Sequence, residues 1–509
     1  MRCKVTTFFQ VLLLSVTIAF AQQQSAPAGL RLPAVFGDNM VLQRGMPVPV
    51  WGWADPGEQI TVTFRQQKRT ATAAQDGRWM LKLDSLEPGG PFELSVAGKQ
   101  AITFKNVLVG DVWICSGQSN MEWILKNTND AQEEIERSTN PHLRHFAVKK
   151  AVADAPQTDC TGSWQECNPN TSPTFTAVGY YFGRKLQKDL GVPIGLIHTS
   201  WGGTAIEPWT SVKAMEADPE IKAAVLDAWS ARVKQYEADL KKWEEAAAAA
   251  KREGKPVPRK PGLPMAPGAL YNAMIAPLIP YAITGAIWYQ GESNAGRAIL
   301  YRKQLPLMIK NWRDDWGQGE FPFLIVSLAN FMARKDQPSD SAWAELREAQ
   351  AMTAASVPKA GLAITIDVGD AKDIHPRDKK TVGERLALAA LAIAYGKNIV
   401  YSGPVFESMK IEGSSVRLTF KHVGSGLVAK GESLKGFAVA GQDRQFHWAD
   451  ARIEGNNTVV LSCKDVPQPV AVRYAWADNP ECNLYNKEGL PAVPFRTDDW
   501  PRQPAQPAK

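Results

Sequence analysis

Residues 112–123 read Val-Trp-Ile-Cys-Ser-Gly-Gln-Ser-Asn-Met-Glu-Trp: an apolar run from Val112 to Cys115, then a glycine turn into the polar heptapeptide Gly117-Gln118-Ser119-Asn120-Met121-Glu122-Trp123. A short apolar strand that breaks at glycine and opens into a polar segment is how a parallel α/β sheet is punctuated. A serine in that place stands at the carboxyl edge of the sheet, where the N–H groups of a helix start can stabilise an oxyanion. Locally the same serine also reads as a helix N-cap. The remainder of the chain has to separate the two readings.

Working outward, the texture supports the sheet. Apolar strands are expected over 107–115, 194–198, 283–289, 323–328 and 362–368, and amphipathic helices over 175–190, 300–316, 342–355 and 379–395. Strands alternating with helices long enough for crossovers predict a parallel sheet covered on both faces. Between Ala217 and Gly254, Leu226, Trp229, Val233, Tyr236, Leu240 and Trp243 recur three and four apart. That spacing predicts a long amphipathic helix, a helical insertion at about 215–262 whose stripe packs on the domain, rims a cleft or contacts another subunit. Residues 22–106 read instead as short strands with turn signals such as Asp55-Pro56-Gly57 and Asp76-Gly77, and residues 403–509 return to that pattern. An N-terminal β-sandwich domain, an α/β domain over 107–402 and a C-terminal β region follow.

The 509 residues, 44% of them apolar, are enough for about three domains. The net charge of +6 comes from mixed runs such as Lys241-Lys242-Trp243-Glu244-Glu245, with no basic stripe to track phosphates, so nucleic acid is not an expected partner. Arg2 and Lys4, the apolar stretch from Phe8 to Phe20 and Ala19-Phe20-Ala21 read as a secretory signal over 1–21, which predicts a periplasmic or secreted product. No later stretch reaches the roughly 20 apolar residues of a membrane span. Five cysteines then remain. In an oxidising compartment Cys160/Cys167 and Cys463/Cys482 are the candidate bridges, with Cys115 a buried small hydrophobe. No zinc-type spacing of Cys or His appears.

A nucleophilic serine needs a base, and the chain has six histidines. His142 and His145 sit in a charged stretch, His422 and His447 in the terminal β region, and His198 at the end of an apolar strand. His375 differs: it lies in Gly369-Asp370-Ala371-Lys372-Asp373-Ile374-His375-Pro376, a polar loop after the last strand and before the last helix. Loops at the carboxyl ends of strands converge on one crevice, so Ser119 and His375 are expected to meet there, with Asp373 oriented toward the imidazole. Two further strand ends offer oxyanion donors. Thr199-Ser200-Trp201-Gly202-Gly203-Thr204 supplies backbone N–H groups, Gly203 among them, and Trp288-Tyr289-Gln290-Gly291-Glu292-Ser293-Asn294 supplies the amides of Gln290 and Asn294. Gln118 and Glu292, from the same loops, complete the substrate-facing set.

These motifs, with Phe36-Gly37-Asp38-Asn39-Met40-Val41-Leu42-Gln43, Val48-Pro49-Val50-Trp51-Gly52-Trp53 and Asp373-Ile374-His375-Pro376, resemble the sialate O-acetylesterase family of the SGNH hydrolases over nearly all of the chain that follows the signal. The resemblance implies a flavodoxin-like SGNH hydrolase domain with a parallel sheet, flanked by N- and C-terminal β-sandwich-like regions, without cofactor or metal. It carries over Ser119 as nucleophile, His375 as base and Asp373 as orienting acid. Two positions depart from the superfamily pattern. The place three residues before the histidine is Lys372, which leaves Asp373, Asp370 or a backbone carbonyl to orient the ring. Where the third block carries asparagine, two residues after glycine, this chain has Ser293, which leaves Gln290 or Asn294.

The expected activity is that of a serine esterase that removes O-acetyl groups from sugars through an acyl-enzyme intermediate, its oxyanion held by the N–H groups of Ser119 and Gly203 and a side-chain amide. One alternative is a non-catalytic carbohydrate-binding protein presenting Trp51, Trp53 and Trp79; another is a lipase-like esterase of the same fold. The partner is an acetylated glycan, a sialoside, xylan or pectin. If it bears a carboxylate, Arg297 or Arg377 is the candidate to meet it. The oligomeric state stays open at this level.

Overall fold

One strand of 17 residues, Ala101–Gly117, belongs to two layers of the molecule, a computed structural model that describes residues 29–502. Its first half pairs antiparallel with Gly89–Ala97; its second half lies between the parallel strands Ile194–His198 and Gly285–Tyr289. Burial follows the change of partner. Residues 101–106 alternate between exposed and half-buried, whereas Val107 to Gly117 are buried without interruption. An antiparallel strand with one wet face tolerates alternation, and a parallel strand covered on both faces does not. Position 106/107, expected between two domains, therefore lies inside a single strand. The expected signal over 1–21 falls outside the described residues.

The central sheet runs Ala360–Ala363, Phe323–Val326, Gly285–Tyr289, Ala101–Gly117, Ile194–His198, Asn140–Ala147, Trp164–Cys167, parallel except at the last strand. Chain order reverses on either side of Ala101–Gly117, so the crevice at its carboxyl end is a topological switch point. The two strands Asn140–Ala147 and Trp164–Cys167 do not figure among the expected elements. Arg144 and His145 give 140–147 a polar look, yet both are buried: Arg144 is satisfied by Glu166, Pro141 O and Asn39, and His145 stacks on Phe175.

Helices Ala177–Leu190 and Lys379–Ile393 cover one face of the sheet around Trp113, Leu196 and Leu386. Helices Ala298–Trp316 and Ala342–Ser356 cover the other around Trp288, Trp312 and Leu346. Three of these starts are capped as side-chain chemistry dictates: Thr176 accepts from Gly179 N, Ser341 from Ala344 N and Asp378 from Thr381 N. The Trp288 cluster continues without a break into the N-terminal β region through Val50, Trp51, Trp79 and Leu94. Trp51, Trp53 and Trp79 are only 8%, 6% and 3% exposed, so the rings expected to stack on glycans in the binding-protein alternative are core residues.

In the C-terminal region two four-stranded antiparallel sheets enclose one cluster. Val416, Leu418 and Val459 of the first meet Phe437, Val472 and Tyr474 of the second, and Ile364 and Ile366 tie the cluster to the α/β part. The helical segment Ala228–Arg252 follows the short turns Pro219–Ile221 and Lys222–Asp227. Its apolar stripe is half-buried, with only Ala247 and Ala250 buried in the helix itself; Trp243 donates to Pro258 O at 2.8 Å, so the returning tail covers part of the stripe. The expected bridges Cys160/Cys167 and Cys463/Cys482 do not form, because all five described cysteines are free. Cys160 packs against the core on one face of the sheet, whereas Cys167 belongs to the cluster on the other, its thiol donated to Ser138 O. No helix among the described residues is long and apolar enough to cross a membrane.

Candidate active site

Ser119 opens a one-turn helix, Ser119–Glu122, directly after the central strand. The turn before it admits only glycine. Gly117 has φ +139°, and a Cβ there would lie 2.1 Å from Tyr289 O. Gln118 N donates to Tyr289 O at 3.0 Å and Trp201 N to Gly117 O at 3.1 Å, so one neighbouring strand and the loop that follows the other hold the serine turn in place.

The loop after Ala360–Ala363 brings His375 Nε2 to 2.8 Å from Ser119 Oγ. Asp373 Oδ1 lies 3.4 Å from His375 Nδ1 and accepts the backbone N–H of His375 at 2.9 Å. Asp370 accepts instead from the backbone N–H groups of Lys372 and Asp373, and so shapes the turn rather than the imidazole. Of the two carboxylates open from the sequence, Asp373 is the one beside the ring, at a separation that tightens in many enzymes once substrate is bound. Trp123 stacks on His375 at 5.2 Å between centroids, which fixes the plane of the ring.

The other expected residues divide into those that reach the crevice and those that brace it. Gly202 sits against the serine, where a Cβ would be 3.2 Å from Ser119 Cβ, but its N–H donates to Glu122 Oε2 at 2.6 Å. Gly203, next along, has φ +76° and open space around it. Gln290 and Asn294 are fully buried and bonded to each other: Gln290 Nε2 donates to Asn294 Oδ1 (2.8 Å) and Thr204 O (3.2 Å), and its Oε1 accepts from Tyr301. Asn294 Oδ1 also accepts from Ile206 N at 3.0 Å, and Nδ2 donates to Glu207 at 3.3 Å. Both amides are spent fastening the segment 204–207. Gln118 Oε1 accepts from the N–H groups of Gly291 and Ser293, joining the Ser119 turn to the third loop.

Glu292 accepts from Asn120 Nδ2 at 2.6 Å. Part of this residue reaches the surface, yet its Oε2 is enclosed with no partner, and burial raises its pKa. Asn120 in turn accepts from Lys379 Nζ at 2.5 Å. Lys379 is entirely buried, and burial pushes its pKa down to about 7 against the attraction of Glu292, Asp373 and Asp378. Sequence reasoning passed over Asn120 and Lys379: the one stands beside the conspicuous serine, and the other looks like any lysine in a first helical turn. Arg297 pairs with Glu207 at 2.6 Å, while Arg377 lies in a separate depression with Asp130 and Glu133. His198 bonds Ser200 Oγ, and burial pushes its pKa down to about 4.

A cavity of about 730 Å³ opens beside Gly202 and Gly203. Trp201, Arg297 and Ser293 come from the loops at the strands' carboxyl ends, and Trp229 and Arg232 from the helical insertion, which therefore rims the cleft. Among the described residues no group of three or more His, Cys, Asp or Glu side chains is arranged to hold a metal ion.

A serine and a histidine within hydrogen-bond reach at a switch point, an aspartate beside the second ring nitrogen and a cavity alongside are the equipment of an ester hydrolase. The chain belongs to the family described as carbohydrate esterase, sialic acid-specific acetylesterase, which matches residues 109–254 and 260–392. It is 32% identical to the sialate O-acetylesterase of Homo sapiens, with 96% of each chain covered, and 33% identical to that of Mus musculus, covering 93% of this chain and 95% of the other. The crystal structure of a carbohydrate acetylesterase from Xanthomonas citri matches with a TM-score of 0.80 at 39% identity, over 92% of this chain and 100% of that one. The protein is a carbohydrate esterase, a carboxylic ester hydrolase.

Proposed function

We propose that the enzyme removes O-acetyl groups from sugars by serine catalysis through an acetyl-enzyme. Ser119 Oγ attacks the ester carbonyl while His375 Nε2 takes its proton, and Asp373 stabilises the imidazolium. The tetrahedral oxyanion accepts from the backbone N–H groups of Ser119 and Gly203, neither of which has a partner among the described residues. Collapse expels the sugar oxygen, which takes the proton from His375. Water, deprotonated by the same imidazole, then releases acetate and restores Ser119. Gln290 and Asn294 act by holding the loop that carries Gly203. The observation that carries this reading is the 2.8 Å contact between Ser119 Oγ and His375 Nε2.

The sugar occupies the cavity beside Gly203, with Trp201 and Trp229 offering ring faces and Arg232 and Arg297 offering charge. The names of the relatives favour acetyl over long acyl chains, and sialosides as the first glycans to try. The α/β part, 107–402, reads as a flavodoxin-like SGNH hydrolase domain between a β-sandwich-like region over 22–106 and another over 403–509, and the leading 21 residues as an export signal. Ser119→Ala should abolish acetate release from acetylated sugars while the protein stays folded by circular dichroism. Turnover retained by that variant overturns the mechanism; a panel of acetylated glycans then ranks the substrates.

A further inference from the structure

Three loops meet at the nucleophile, and the side chain of Asn120 touches the other two. Its Nδ2 donates to Glu292 Oε1 (2.6 Å) on the third loop and to Ile374 O (3.1 Å) on the base loop. Its Oδ1 accepts from Lys379 Nζ (2.5 Å), the first residue of helix Lys379–Ile393. Asn120 is the neighbour of Ser119 and Ile374 the neighbour of His375, so this amide ties together the residues adjoining the reacting pair.

Lys379 is poorly placed for stability. It is 0% exposed, and an ammonium loses its hydration on burial. It also sits in the first turn of a helix, where the macrodipole disfavours positive charge. What it gains is specific. The rings of Trp123 and Tyr289 face its Nζ at 5.7 and 5.4 Å, and the acidic groups around it are Glu292, Asp373 and Asp378. Trp123 is the ring that stacks on His375. A cation so costly, aimed at an amide that links the Ser119 and His375 loops, points to a role in the site.

We propose that Lys379 is a positioning residue whose cation, acting through Asn120 and balanced by Glu292, clamps the Ser119 turn against the His375 loop. The proposal rests on the Ser119–His375 reading. The clamp weakens when Lys379 loses its proton, because Glu292 then lacks its counter-charge. Burial brings that titration to about 7, inside the range of an ordinary activity assay. Turnover should therefore fall on the alkaline side of that titration.

The test is kcat and KM for acetate release from an acetylated sugar, across pH, for the full chain and three variants. Lys379→Met should lower kcat by tenfold or more at its optimum with little change in KM, since small misplacements of reacting groups cost up to about a hundredfold, and should lose the alkaline limb. Lys379→Arg should recover part of kcat and move that limb to higher pH. Glu292→Gln keeps an acceptor for Asn120 but removes the counter-charge, so it should move the limb to lower pH; it also serves if Lys379→Met does not fold. Wild-type kcat in Lys379→Met, or an alkaline limb left where it was in both Lys379→Met and Glu292→Gln, overturns the proposal. An inactive Ser119→Ala beside such results leaves the serine mechanism standing, whereas an active Ser119→Ala removes the basis of both.

Discussion

Asn294 separates two ways of building the oxyanion site. If its amide polarises the substrate carbonyl, Asn294→Ala leaves the fold alone and lowers kcat about a hundred- to a thousandfold, equivalent to about 2.7–4 kcal/mol. The structure assigns the same side chain to holding the loop, and the ledger then falls on stability. Truncation removes the acceptor for the buried N–H of Ile206 (3.0 Å) and one of two acceptors for Gln290 Nε2, and takes a donor from Glu207, which keeps Arg297 and Gln304. An abandoned buried donor costs about 1–3 kcal/mol, and a hydrogen bond to a charge about 1.5–3 kcal/mol, here at the low end because the contact is long. The sum is roughly 2.5–4.5 kcal/mol of lost stability. The two readings are alike in size and differ in the observable. Urea unfolding followed by tryptophan emission is well placed to see the loss, since Trp209 and Trp288 pack edge to face at 6.1 Å close by. The expected outcome is a clearly lower midpoint with kcat, measured without urea, reduced less than about tenfold. An unchanged midpoint with kcat down a hundredfold refutes the assignment and returns Asn294 to the substrate.

Acid should destabilise the enzyme through His198. Its folded pKa, about 4, lies below the unfolded value of about 6.5, so its contribution is complete above the unfolded value and is lost as pH falls toward the folded one, at about 1.4 kcal/mol per unit. His198→Asn should lose less stability than the parent between about pH 6.5 and 5; an equal loss in urea midpoints assigns the effect elsewhere. Trp229→Ala should raise KM for an acetylated oligosaccharide severalfold while leaving hydrolysis of 4-nitrophenyl acetate unchanged, because the insertion lines the cavity and stays clear of the Ser119–His375 contact. Equal KM values for the glycan would remove the helical insertion from substrate binding.

Local spacing carried much of the fold. Ile194–His198 and Ala342–Ser356 fall within a residue of expectation, because apolar strands and amphipathic helices announce themselves in a window of about ten residues. The failures have physical causes. Strand Asn140–Ala147 hides because Arg144 and His145 are polar and buried: Arg144 is met by residues distant in the chain, Asn39 and Glu166 among them, while His145 is enclosed in a stack on Phe175. The apolar stripe on the insertion was legible, but what it faces was not: its own tail, the cleft and only a small anchoring cluster around Met215, Ile221 and Val225.

The site shows the same division. Ser119 and His375 could be paired because each follows a strand of one parallel sheet, and sheet topology converts 256 residues of separation into a 2.8 Å contact. Gln290 and Asn294 draw notice in the sequence as amides at a strand end. A strand end does not say whether an amide points into the crevice or beneath it, and Glu207, reached by Asn294 at 87 residues' remove, decides that they brace the floor. Lys379 is the harder case, since a lysine in the first turn of a helix reads as solvated by default. Its meaning arises from enclosure by Trp123, Tyr289 and Glu292, which arrive from two other loops. The Ser119–His375 pair is thus encoded where strands end, while the groups packed around it are encoded in long-range partners, and those become visible only when the loops have met.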